Sequence, residues 1–83
     1  MSNWMELSVK VNPDSRVSVK RAAEEVFGCD VQVSYSHEFG VHYISLPDCG
    51  LGLLRRVEDL LKNMKDFDNK SNPQVTIDRL IIY

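Results

Sequence analysis

Apolar and polar residues alternate from Met5 to Val11: Met5, Leu7, Val9 and Val11 fall on one side, Glu6, Ser8 and Lys10 on the other. A period of two is the mark of a half-buried strand. "NPDS" interrupts it, with Asp14 or Ser15 placed to cap the element that follows. From Ser15 to Phe27 the period lengthens. Val19, Ala22, Ala23, Val26 and Phe27 make one helical stripe, and Lys20–Glu24 and Arg21–Glu25 are spaced to pair on the wet side. Gly28 is a natural stop.

Alternation returns in "DVQVSYSH", with Val31, Val33 and Tyr35 on one face, and in "VHYISLP", with Ile44 and Leu46. Gly40 lies between the two runs, which makes them a hairpin. A second helical stripe runs through Leu53, Leu54, Val57, Leu60, Leu61 and Met64, with Arg55–Asp59 and Glu58–Lys62 as pairs on its other side. "DFDNKSNP" reads as a solvated connection and "QVTIDRLIIY" as a last strand. The order β-α-β-β-α-β, with one apolar stripe per helix, predicts both helices on one face of an antiparallel sheet. Right-handed crossovers give strand order 4-1-3-2, the ferredoxin-like arrangement, in one α+β domain over residues 1–83.

Parity suggests a hairpin register that pairs Tyr35 with Ile44, Val33 with Leu46 and His37 with His42 across a loop of Glu38 to Val41. Extended the other way, it leaves Cys29 and Cys49 as neighbours, a possible redox pair beside the start of the second helix. Histidines and cysteines then sit about eight residues apart along each strand, roughly 25 Å at 3.3 Å per residue. No shared tetrahedral metal and no Cys–His nucleophile pair is compatible with that distance. No metal or cofactor is expected.

Other motifs fade on inspection. Gly50-Leu51-Gly52 follows a strand and opens a helix, with Arg55 and Arg56 one turn on. The third glycine of a dinucleotide fingerprint is missing, however, and Asp48 is placed to cap the same amides. Asp66 and Asp68 hint at a calcium loop, but Lys70, Ser71 and Ile77 occupy positions where ligands and the turn glycine belong.

Composition narrows the field further. The 83 residues are 43% hydrophobic and 27% charged, with net charge −2, an ordinary globular balance and not that of a polybasic nucleic-acid binder. A chain this short buries about 60–65% of the surface it exposes when unfolded, so its stability is small. No apolar run approaches the roughly 18 residues of a membrane span, and the first ten residues lack a secretory pattern. A cytoplasmic protein without membrane contact is expected.

Nucleic-acid binding through the uncovered sheet face is one alternative, with Lys10, Arg16, Lys20 and Tyr43 as contacts. Tyr43 is the aromatic expected on that face, among Glu6, Ser8, Gln32, Ser34, Ser36, Ser45, Thr76 and Asp78. No pair of carboxylates, triad or metal set points to an enzyme. The strongest hint is the last strand. In order 4-1-3-2 it is an edge, and "LIIY" at Leu80 to Tyr83 is apolar on both faces. The expectation is therefore a non-enzymatic interaction module: an adaptor, a regulatory subunit or an inhibitor of a larger machine, a phage-encoded one included. It would bind another protein or a second copy of itself through Leu80, Ile82, Tyr83, Trp4 and Tyr43.

Overall fold

The computed structural model describes residues 3–28, 30–47 and 52–82, and for Asn3, Pro47 and residues 79–82 the backbone alone. The elements are β1 (Asn3–Lys10), α1 (Val19–Phe27), β2 (Gln32–Ser36), β3 (Val41–Pro47), α2 (Leu53–Phe67) and β4 (Gln74–Ile82). The four strands form one sheet in the order β2-β3-β1-β4, which is 4-1-3-2 counted from the β4 edge. Every neighbouring pair is antiparallel.

Alternation along the strands puts Leu7 and Val9 of β1 with Ile44 and Leu46 of β3 on one face, all fully buried. Both helices close over that face. Val19, Ala22 and Ala23 come from α1, and Leu53, Leu60 and Met64 from α2, joined by Val31 in a single apolar cluster. Each fully buried Leu, Ile or Met side chain contributes about 1.5–3 kcal/mol, so these few carry much of the stability. The α2 stripe is narrower than its spacing predicts: Leu54 is 73% exposed and Leu61 half-buried, because the face toward the sheet is taken by Leu53, Val57, Leu60 and Met64. Asn63 ties the helices together, its Nδ2 donating to the Ala22 carbonyl at 3.4 Å and to Glu25 Oε2 at 3.1 Å. On the wet side of α1, Arg21 and Glu25 approach to 3.8 Å, the pair the i,i+4 spacing predicts.

Two local expectations need correction. First, α1 begins at Val19 and not at Ser15. Its cap is Ser18, whose Oγ accepts from Arg21 N at 3.3 Å. Asp14 and Ser15 instead form a turn on Asn12, where Asn12 Oδ1 accepts from Asp14 N and the Asn12 carbonyl from Ser15 N, each at 2.9 Å. Second, the hairpin register is displaced by two residues. Val33 pairs with Ile44, Ser34 with Tyr43 and Tyr35 with His42, and the loop is His37 to Gly40. The loop closes through Gly40 N donating to the Ser36 carbonyl at 2.8 Å, with Gly40 at φ +64°, a left-handed conformation that glycine adopts without a Cβ penalty. β4, antiparallel to β1, does not keep a single register along it. Glu6 pairs with Arg79 but Leu7 with Ile77, so Asp78 is a bulge in the edge strand.

The α2–β4 connection is also more than a solvated loop. Ser71 is 3% exposed, and α2 itself runs through Phe67, so the connection begins at Asp68.

Candidate functional site

The concave surface with the most chemistry lies at the hairpin end of the sheet. A groove of about 600 Å³ separates the β1–α1 loop from the β2–β3 hairpin. The loop side supplies Val11, Pro13, Ser15 and Val17, and the hairpin side supplies Tyr35, His37, Glu38, Phe39 and His42. Strand alternation explains the hairpin set. Tyr35 and His42 are register partners on the helix side of the sheet, and the groove they line is bordered by no residue of α1 or α2. Tyr35 is 48% exposed and Phe39, at the tip, 64%.

The rings form a connected group. Tyr35 meets His37 edge-on with centroids 4.9 Å apart and His42 at a tilt with centroids 4.6 Å apart. The expected pairing of His37 with His42 is therefore replaced by a tyrosine that touches both. His42 Nδ1 is buried and has no hydrogen-bond partner among the described residues. Burial lowers the pKa of His42 below the ordinary imidazole value, because the charged form loses water and gains no acceptor. No group of three or more His, Cys, Asp or Glu side chains that could hold a metal ion occurs among the described residues.

One wall of the groove is fixed by a polar clamp that sequence reading passes over. Asp68, at the end of α2, reaches back to the β1–α1 loop. Its Oδ2 accepts from the Arg16 backbone N–H and from Ser15 Oγ at 3.2 Å, and its Oδ1 accepts from Lys70 N at 2.9 Å. The Ser15 and Ser71 hydroxyls lie 2.9 Å apart, and Val17 N donates to Ser15 Oγ at 3.2 Å. The Arg16 amide first, then the Lys70 amide and the Ser15 hydroxyl, hold the Asp68 carboxyl below the usual carboxylate range. These contacts clamp the β1–α1 loop to the end of α2.

The remaining expected residues fall elsewhere. Tyr43 and Lys10 lie on the uncovered sheet face, where the Glu6–Ser45 and Ser8–Tyr43 register pairs also sit. Arg16 is in the clamped loop and Lys20 on α1, in the layer behind the sheet, so Lys10, Arg16, Lys20 and Tyr43 are not brought onto one surface. Trp4 pairs with Pro47 and Ile81 on β1, and unbroken alternation through Glu6 and Ser8 puts it on the same face as Tyr43. That second aromatic on the open face was signalled by its even number in the β1 alternation.

Leu80 pairs with Met5 and Ile82 with Asn3 in backbone register, while their side chains, together with Cys29, Cys49 and Tyr83, lie outside the described residues. Asp48 and Gly50 are outside them as well. Gly52 caps α2 with no side-chain hydrogen bond, and an added Cβ there would meet nothing within 4 Å, so close packing does not require glycine at that position.

No helix among the described residues is long and apolar enough to cross a membrane. Comparison with family models, with curated proteins and with solved structures finds no match.

Proposed function

We propose that the chain is a cytoplasmic, non-enzymatic protein-interaction module with a ferredoxin-like arrangement, acting as a small adaptor, regulatory subunit or inhibitor of a larger protein. It associates through β4 and the open sheet face beside it. The observation that carries this reading is the edge itself. β4 is nine residues long, pairs with β1 on one side and lies at the end of the strand order on the other. An edge of this length offers a row of free N–H and C=O groups to another strand. Within it Ile77, paired with Leu7 and so on the helix side of the sheet, is 46% exposed, an apolar side chain that a partner strand would cover. The bulge at Asp78 splits the edge into two short segments, so an added strand docks on Gln74–Ile77 or on residues 79–82. Leu80, Ile82, Tyr83, Trp4 and Tyr43 are the proposed contacts. A second copy of the chain is the simplest occupant, because an antiparallel pair of β4 strands closes with two-fold symmetry.

Light scattering of the intact chain tests the reading. The expected result is a dimer that Ile77→Lys or Ile82→Lys dissociates. A monodisperse monomer that also retains no protein from native lysate removes the proposal.

One observation favours a second reading. Trp4 and Tyr43 on one open face are the two aromatic platforms that single-stranded nucleic acid needs for stacking. The net charge of −2 opposes it. This reading requires salt-sensitive binding to mixed oligonucleotides that Tyr43→Ala and Trp4→Ala each weaken, and it fails if no binding is seen at low salt.

A further inference from the structure

We infer that the groove between the β2–β3 hairpin and the β1–α1 loop binds a cationic side chain, an arginine of a partner protein, bordered by the Tyr35 and Phe39 rings and facing Glu38. The site lies at the opposite edge of the sheet from β4 and rests on the interaction-module reading only for the source of the arginine.

Four observations point the same way. The first is unused aromatic surface: Tyr35 and Phe39 are 48% and 64% exposed and border the same groove. A ring face attracts a cation within about 6 Å of its centroid, and a planar guanidinium can also stack on it. The second is preorganisation. Tyr35 is braced by imidazoles at 4.9 Å and 4.6 Å, so its ring is already ordered and little entropy is lost when a ligand settles on it.

The third is the lining opposite the rings. Val11 and Val17 are half-buried there and suit the methylene stem of an arginine, which prefers apolar surface while its head stays wet.

The fourth is charge. The acid on the hairpin tip is Glu38, which is exposed. Lys10 also borders the groove, but alternation along β1 places it with Glu6 and Ser8 on the other face of the sheet. His42, with its pKa lowered by burial, presents a neutral ring near pH 7. An anionic ligand would therefore meet Glu38 on the hairpin side.

The test is an NMR titration of the full-length ¹⁵N-labelled chain at pH 7.5 with a capped Gly-Arg-Gly tripeptide. A capped Gly-Glu-Gly tripeptide and inorganic phosphate serve as comparators. The arginine peptide is expected to shift the amides of residues 11–17 and 37–41 saturably, and the two comparators are not. Glu38→Gln is expected to weaken the response about threefold, the size of a partly exposed charge contact, and Phe39→Ala to weaken it further. Both positions are exposed, and unchanged amide shifts in α2 and β1 verify that the variants fold. Ile77→Lys is expected to leave the titration unchanged, which separates failure of this site from failure of the β4 edge. The inference is overturned by the absence of saturable shifts in the groove, by a stronger response to glutamate or phosphate, or by a Glu38→Gln variant that binds as the parent does.

Discussion

Replacing His42 with phenylalanine should make the protein more stable, and the reason lies in one nitrogen. Nδ1 of His42 is shielded from solvent and has no hydrogen-bond partner among the described residues. Leaving a polar atom buried and unpaired costs about 1–3 kcal/mol. Because the ring as a whole is only half-buried, the lower end of that range applies, and removing the atom is expected to return about 1 kcal/mol at pH 7.5. The phenyl ring keeps the shape that stacks on Tyr35 at 4.6 Å and remains opposite Val9 in the sheet.

The gain should grow on acidification. The folded-state pKa of His42 lies below its unfolded value, so the unfolded chain takes up the proton first. The wild-type stability contributed by neutral His42 is fully present above about pH 6.5 and is lost as the pH falls from there through the lowered pKa. His42→Phe should abolish that slope. Urea unfolding of both proteins at pH 7.5 and pH 5.5 gives the comparison, and 1 kcal/mol corresponds to roughly 4–8 °C in melting temperature for a chain of this size. A variant less stable than the parent at both pH values, with the slope between them unchanged, would refute the reasoning.

Other consequences are equally concrete. Leu60→Ala removes a fully buried side chain of α2 and should cost about 2–5 kcal/mol in urea unfolding, enough to unfold much of so small a protein. Gly40→Ala meets no steric neighbour but must hold φ +64°, and should cost about 1 kcal/mol by the same measurement while leaving the core spectrum intact. Asp68 has a lowered folded pKa, so its stabilising effect is present above the unfolded carboxylate value of about 4 and disappears as the pH falls through the folded one. Asp68→Asn should therefore flatten the acid limb of a thermal-melt pH profile, and an unchanged limb would show that the clamp contributes little.

The sequence reveals the elements more readily than their connections. Period alone separates β1 from α1 and places the Leu7, Val9, Ile44 and Leu46 face, because burial on one side of a strand is written into every second residue. Parity determines a hairpin register only to within two residues. Tyr35 opposite Ile44 and Tyr35 opposite His42 satisfy the same alternation, and the choice is made by the Ser36–Gly40 turn. The start of α1 is hidden for a different reason. Ser15 reads as a local cap, but its hydroxyl is engaged by Asp68, 53 positions away. The groove is non-local in the same sense, since Val17 and Tyr35 come to line one surface only after the sheet has formed. The Asp78 bulge leaves no mark in the pattern of β4, whose apolar run tolerates either face.

Amide hydrogen exchange along β4 tests the proposed interaction edge most directly. The β4 amides that do not bond β1 should exchange quickly in dilute protein and slow markedly as the chain concentration, or that of a captured partner, is raised. The β2 edge should show no such change. Fast exchange of those amides at every concentration, with or without captured protein, or protection that appears on β2 and leaves β4 open, would contradict the account.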